Sequence, residues 1–150
     1  LYVGQEVAIT LGKVQQELAK QGYGLVLWDA YRPWQISKLA SLALPEKSKS
    51  MLDDPDKKGS SHNTGVAVDV GLFDLASGEE LEMVSAFDEP SFRQYASYVG
   101  GTTLQRYRRS ALRNAMLAAG FKGIEMEWWH FELGKSEEYA HMNVSYTDLP

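Results

Sequence analysis

The stretch His62-Asn-Thr-Gly-Val-Ala-Val-Asp69 places a histidine at the end of a polar loop and an aspartate seven residues later, inside an apolar strand. Because side chains alternate along a strand, three valines share a face typical of core, and Asp69 lies on the other face beside two small residues. A buried carboxylate must be paired, hydrogen-bonded or bound to a cation. His62 and Asp69 are therefore candidate metal ligands, with an equal alternative in which backbone amides satisfy Asp69 and His62 is a loop residue. The valines are Val66, Val68 and Val70, and the small residues are Ala67 and Gly71.

Upstream of this stretch, the sequence predicts two helices and a strand. Apolar residues at spacings of four, three and four predict an amphipathic helix over residues 5–21, and residues 23–28 predict a short buried strand. Pro33 can open a second helix over residues 34–44, and the polar residues 45–61 predict a long loop. The predicted apolar side of the second helix consists of Ile36, Leu39, Ala40 and Ala43.

Downstream, the sequence predicts a hairpin, a third helix and an aromatic strand. Alternation over residues 66–73, a turn at 76–78 and the segment 80–84 predict the hairpin. Thr102 or Thr103 can cap the helix, which ends at Gly120, and its arginines between residues 106 and 113 are expected to be solvated. The strand is expected over residues 124–133. The helix's predicted buried residues are Leu104, Tyr107, Ala111, Ala115 and Met116.

Composition excludes several classes of function. The chain has 150 residues, 44% of them hydrophobic, which fits one domain over residues 1–150. A net charge of −5 without a basic block argues against nucleic acid as a partner, and the absence of cysteine removes thiolate metal sites and cysteine nucleophiles. No apolar run approaches the ~18 residues of a membrane span. The chain starts at Leu1, so we expect a missing upstream segment, and the compartment, cytoplasmic or periplasmic, stays open.

A second motif, Glu127-Trp-Trp-His130-Phe, places an acid and an imidazole within the most aromatic segment. Catalytic zinc takes three protein ligands, and His130 would complete the set with His62 and Asp69. Glu127 could then act as a general base, although this motif in isolation fits a surface pair beside a core aromatic cluster somewhat better. Residues three apart face opposite sides of a strand, so Glu127 must lie just before the strand or at a bulge.

A third motif is Asp29-Ala-Tyr-Arg32-Pro33, between the first strand and the second helix. Pro33 fixes the local backbone and disfavours helical geometry at Arg32. A guanidinium held there could stabilise an oxyanion or grip a carboxylate. The alternative is an ordinary surface ion pair between Asp29 and Arg32.

The motifs DAYRP, SSHNTGVAVD and EWWHF, in this order, resemble those of the D-alanyl-D-alanine dipeptidases of the VanX type. The resemblance implies an α+β fold of the zinc D,D-peptidase (hedgehog-like) kind, a mainly antiparallel sheet with packed helices. It implies one zinc ion held by His62, Asp69 and His130, with Glu127 as catalytic base and Arg32 stabilising the transition state.

The resemblance also implies residues that hold a small dipeptide substrate: Ser60, Asp29 and Asp88, the last meeting the free ammonium group. His141 lies in a polar tail that departs from the usual ending, and we expect it to be exposed. The expected reaction is hydrolysis of D-Ala-D-Ala or a related D,D-dipeptide. The alternatives are a D,D-carboxypeptidase acting on peptidoglycan stem peptides and a non-catalytic, zinc-stabilised module that binds cell-wall peptides.

Overall fold

Four apolar segments pair into one antiparallel sheet. The structure is a computed structural model that describes residues 1–43, 56 and 59–149. Neighbouring strands run antiparallel in the order β1-β2-β4-β3, which confirms the predicted α+β class and antiparallel sheet. The strands are β1 (Tyr23–Asp29), β2 (Ala67–Asp74), β3 (Phe121–Gly123) and β4 (His130–Leu133).

Helices α1 (Gln5–Ala19) and α3 (Thr103–Ala118) pack on the sheet and on each other. Apolar residues of α1 at helical spacing, Val7, Val14 and Leu18, are buried, as predicted. Thr102 caps α3 as expected: its Oγ1 accepts the N–H of Gln105 at 3.1 Å, and the Gln105 side chain accepts the N–H of Thr102 at 2.7 Å.

The predicted apolar side of α2 (Trp34–Ala43) is wrong, because that side faces solvent. Ile36 and Leu39 are exposed, and the residue of α2 that is buried is Ser37. The Ser37 hydroxyl accepts a hydrogen bond from the Asn63 side chain at 2.9 Å. A polar contact to the turn around residue 63 therefore sets the orientation of this helix.

The predicted buried side of α3 is also partly wrong. Leu104 and Tyr107 are exposed, and Arg109, expected on a solvated face, is buried. Its guanidinium donates to the carbonyl oxygen of Tyr98 at 2.7 Å, while its apolar stem packs inside. The Tyr98 carbonyl thus provides a hydrogen-bond acceptor for the Arg109 guanidinium, which the sequence pattern had placed in solvent.

Two strand predictions need correction. The second arm of the hairpin is a single bridge between Phe73 and Glu80, although the turn itself forms. The expected strand over residues 124–133 forms only as β4, His130–Leu133, while the short strand β3 ends at Gly123, before the expected range begins. The predicted loop over residues 45–61 lies largely outside the described residues.

The C-terminal tail, residues 136–149, crosses the loop that follows β1. The N–H of Trp34 donates to the Met142 carbonyl at 3.0 Å, and the N–H of Met142 donates to the Asn63 carbonyl at 2.8 Å. His141 is exposed, as predicted. The tail therefore joins the loop of the third motif, Asp29–Pro33, to the His62–Asp69 stretch. Within the described ranges, no helix has the length and apolar character to cross a membrane.

Candidate active site

His62 lies in a short 3₁₀ turn, Ser61–Thr64. The Ser60 hydroxyl caps the turn by accepting the N–H of His62 at 3.3 Å, and Gly65, with φ of 75°, ends it. His62 Nδ1 donates to the Ala30 carbonyl at 2.8 Å. Because that carbonyl can only accept, the lone pair of the neutral ring is on Nε2.

The His130 ring, at the start of β4, is likewise oriented by contacts to its Nε2 nitrogen. Its Nε2 lies 3.3 Å from Glu132 Oε1 and 3.3 Å from the Ser61 hydroxyl. A proton on Nε2 can be donated to the Glu132 carboxylate, which leaves the lone pair of the neutral ring on Nδ1.

The two free ring nitrogens and one oxygen of Asp69 converge on a single point. His130 Nδ1 lies 2.9 Å from Asp69 Oδ1, His62 Nε2 lies 3.2 Å from His130 Nδ1, and His62 Nε2 lies 3.4 Å from Asp69 Oδ1. Three ligands at zinc-type distances are spaced about 3.3 Å apart on a tetrahedron. All three side chains are buried, so the lone pairs of two ring nitrogens and one carboxylate oxygen face each other without water between them. A bound cation would remove the repulsion between these lone pairs.

The charges in this cluster shift one another strongly. Burial opposes ionisation of Asp69, but the contacts of its carboxylate with His130 and His62 hold the pKa of that carboxyl well below the usual range. Burial likewise opposes the charged form of His130, yet its hydrogen bonds to Asp69 and Glu132 raise its pKa to about 9. The His130 hydrogen bond lowers the pKa of Glu132 to about 2. Without a metal, a proton on His130 provides the positive charge that the cluster requires.

Glu127 lies in the irregular segment just before β4, which is the first of the two geometries expected from the sequence. Its Oε2 is 4.0 Å from His130 Nδ1, and a third of its side chain is exposed. Partial burial, together with the negative charges of Asp69 and Asp88, raises the pKa of Glu127 against the opposing effect of His130. The carboxyl is thus beside the three donors but is not one of them.

Arg32 and Asp29 form an ion pair, as the alternative interpretation of the third motif required, with Arg32 Nη2 at 3.0 Å from Asp29 Oδ2. The pair is three-quarters buried and belongs to the site, since Asp29 Oδ2 lies 3.9 Å from His62 Nδ1. The backbone N–H of Arg32 donates to the His62 carbonyl at 3.1 Å, and Arg32 Nε has no acceptor within the part of the chain that the structure describes.

Asp88 is presented by a loop that Phe87 anchors. The Phe87 ring stacks on Trp28 with centroids 4.8 Å apart and meets Trp129 edge-on at 5.6 Å. Asp88 has φ of 58°, a conformation that is rare except for glycine, asparagine and aspartate. Partial burial, then the charge of Asp69, raises the pKa of Asp88. The charges of Arg32 and Asp29 also influence the Asp88 carboxyl, which therefore lies close enough to the site to interact electrostatically with it.

Sequence reasoning missed two contributors and misjudged one residue. Glu132 lies two residues after His130, and strand alternation could have identified it on the same face. Tyr146, whose hydroxyl bonds the Tyr31 carbonyl, had no local signal. The space expected beside Asp69 at Gly71 is filled, because a Cβ there would collide with the Trp28 indole.

Comparison with solved structures supports the fold. VanYB in complex with D-alanine-D-alanine superposes with a TM-score of 0.54 at 12% identity, over 91% of this chain and 74% of that chain. A VanY D,D-pentapeptidase E175A mutant in complex with Zn(II), from a VanB-type resistance cassette, gives a TM-score of 0.53 at 12% identity, over 90% and 74%.

Comparison of sequences identifies the family. The D-alanyl-D-alanine dipeptidase of Enterococcus faecium is 35% identical in an alignment that covers 97% of this chain and 77% of that protein. The D-alanyl-D-alanine dipeptidase of Enterococcus faecalis is 31% identical over 85% of this chain and 70% of its own length. That of Escherichia coli is 36% identical over 79% of this chain and 59% of its own length. The family model described as D-ala-D-ala dipeptidase matches residues 2–149, and the chain therefore belongs to the D-ala-D-ala dipeptidase family.

Proposed function

We propose that this protein is a zinc metallopeptidase that hydrolyses D-alanyl-D-alanine or a closely related D,D-dipeptide. Its family membership and the relatives that carry this activity in their names support the reaction class. The observation that carries the proposal is the convergence of His62 Nε2, Asp69 Oδ1 and His130 Nδ1 with the Glu127 carboxyl beside them.

His62, Asp69 and His130 would hold the zinc ion. Two imidazoles and a carboxylate are a usual ligand set for catalytic zinc, and the described contacts fix both ring orientations before the metal arrives. When bound, zinc would act as a Lewis acid toward the scissile carbonyl and would acidify an attacking water. The remaining chemistry belongs to side chains.

Glu127 is the proposed general base. Its carboxyl accepts the proton of the attacking water and delivers it to the amine that leaves, so the residue ends the cycle unchanged. A raised pKa brings the carboxyl closer to the pH at which proton transfer in both directions is efficient. A module that only bound peptides would not need this group.

Arg32 is the proposed stabiliser of the negative oxygen that develops on the attacked carbonyl. Asp29 orients the guanidinium through one nitrogen, which leaves other N–H groups for the substrate. Ser60 and Asp88 are the proposed substrate-binding residues with Asp29. Asp88 would pair with the free ammonium of a dipeptide, and this would select substrates with an amino terminus one residue from the scissile bond.

Three substrates test this function. The zinc-loaded protein is incubated with D-Ala-D-Ala, L-Ala-L-Ala and N-acetyl-D-Ala-D-Ala, and free alanine is measured over time. We expect rapid release from the first and little from the other two. Equal cleavage of the acetylated and free D,D-peptides would favour a D,D-carboxypeptidase, and zinc-dependent binding of D-Ala-D-Ala without hydrolysis would favour a binding module.

A further inference from the structure

Hydrogen bonds of two tyrosines, Tyr31 and Tyr146, join the C-terminal tail to the loop that carries Arg32. The Tyr31 side chain, buried to 3% exposure, donates through its hydroxyl to the Val144 carbonyl at 3.0 Å and accepts the N–H of Val144 at 2.8 Å. In return, the Tyr146 hydroxyl donates to the Tyr31 carbonyl at 3.1 Å. The two rings meet edge to face with centroids 6.3 Å apart.

The Tyr146 hydrogen bond acts on the peptide unit that joins Tyr31 to Arg32. A peptide unit is planar, so its carbonyl oxygen and the following N–H move together. The tail holds the oxygen of this unit, and the His62 carbonyl accepts its N–H at 3.1 Å. The plane from which the Arg32 side chain projects is thus fixed at both ends.

Tyr146 also stands beside the charged pair of the site. Partial burial raises the pKa of its phenol, and the charges of Asp29 and Arg32 act on it with opposite signs. The residue is 43% exposed, so Tyr146 borders solvent and is not a core residue.

We propose that Tyr146 is a positioning residue for catalysis: its hydroxyl holds the Tyr31–Arg32 peptide unit and thereby orients the Arg32 guanidinium toward the substrate. This inference rests on the proposed function, because it assigns Arg32 a role in hydrolysis. The alternative is that Tyr146 only fastens the tail to the body of the protein.

A double-mutant cycle separates these roles. Tyr146→Phe keeps the ring and its packing but removes the hydroxyl donor. We expect a fall in kcat for D-Ala-D-Ala on the order of tenfold, since small misplacements of a catalytic group are costly, with unchanged zinc content. In an Arg32→Ala background, Tyr146→Phe should change kcat by less than about twofold, because the residue it positions is absent.

Tyr139→Phe is the matched control. Tyr139 belongs to the same tail, and its hydroxyl makes no hydrogen bond within the described ranges. The Tyr139→Phe variant should therefore keep the wild-type kcat. Amide hydrogen exchange at Arg32 supplies a readout independent of turnover and should accelerate in Tyr146→Phe and not in Tyr139→Phe. Equal losses in the wild-type and Arg32→Ala backgrounds, or no loss in either, would overturn the positioning role alone. A wild-type protein that fails to hydrolyse any of the dipeptides would overturn the proposed function and this role together.

Discussion

Asp69 and His130 are direct partners across the β2–β4 ladder, and Asp69 Oδ1 lies 2.9 Å from His130 Nδ1. Cross-strand partners have side chains on the same face, so the backbone register itself brings two proposed ligands together. The contact also couples metal binding to protonation, since the same nitrogen would bind either a proton or zinc.

Zinc affinity should therefore increase with pH. The pKa of His130 in the metal-free protein is raised from 6.5 to about 9, so at neutral pH zinc must displace a proton. We expect the apparent affinity to rise about tenfold per pH unit from neutral pH to about 9 and then to level off. Competition with a chelator at several pH values measures this, and a flat profile would show that His130 is already neutral.

The same shift predicts a stability change in the zinc-free protein. Because the folded pKa of His130 is raised, its contribution is complete below pH 6.5 and is lost as pH rises through about 9. Thermal unfolding of the zinc-free protein across this interval should show a falling midpoint. His130→Ala should remove the decline.

Glu127→Gln should abolish most turnover without releasing zinc. The amide is similar in size but cannot accept the proton, so we expect kcat to fall by roughly 10²–10⁴. Metal content by atomic absorption should match that of the wild type, because Glu127 Oε2 lies outside the three-donor cluster. Parallel loss of zinc and activity would instead make Glu127 a ligand.

Asp88→Asn should reduce kcat/KM for the free dipeptide by roughly 10- to 150-fold, the scale of a charge-assisted hydrogen bond. Asparagine tolerates the positive φ at this position, so the backbone should be preserved. Steady-state kinetics with D-Ala-D-Ala and its N-acetyl form measure the effect. If Asp88 is only a turn residue before Pro90, the variant will keep wild-type kinetics.

Glu132→Gln should weaken zinc binding by about 10- to 100-fold, because the hydrogen bond that orients His130 loses its charge. Glu138→Gln is the control, since Glu138 lies six residues further on and pairs with Lys135 in solvent. Competition with a chelator compares the two variants. Equal affinity in both would show that the Ser61 hydroxyl alone suffices to orient the ring.

The sequence predicted the parts of the site that depend on local geometry. Strand alternation separated Asp69 from the valines of β2, and the spacing of Glu127 and His130 required either an irregular entry or a bulge. The structure has the irregular entry. The ligand roles themselves stay predictions that metal binding will test.

The features that the sequence did not predict depend on distant contacts. An apolar stripe on α2 indicated a buried side, but nothing in the stripe says whether another element covers it. Arg109 is buried because carbonyls of a separate loop accept its N–H groups. The indole of Trp28 fills the space at Gly71, and Tyr146 reaches Tyr31 across more than one hundred positions of the chain. Local patterns carry no information about such partners.

The strand order has a consequence for synthesis of the chain. β4 lies between β2 and β3, yet it is the last of the four strands to leave the ribosome. It carries the third of the three converging donors, 68 residues after the first. A nascent chain that stops before His130 therefore exposes an unpaired edge on β2 and offers a metal only two donors. If these three donors hold zinc as proposed, high-affinity capture would begin only once β4 has been inserted, and zinc retention during translation would report that step.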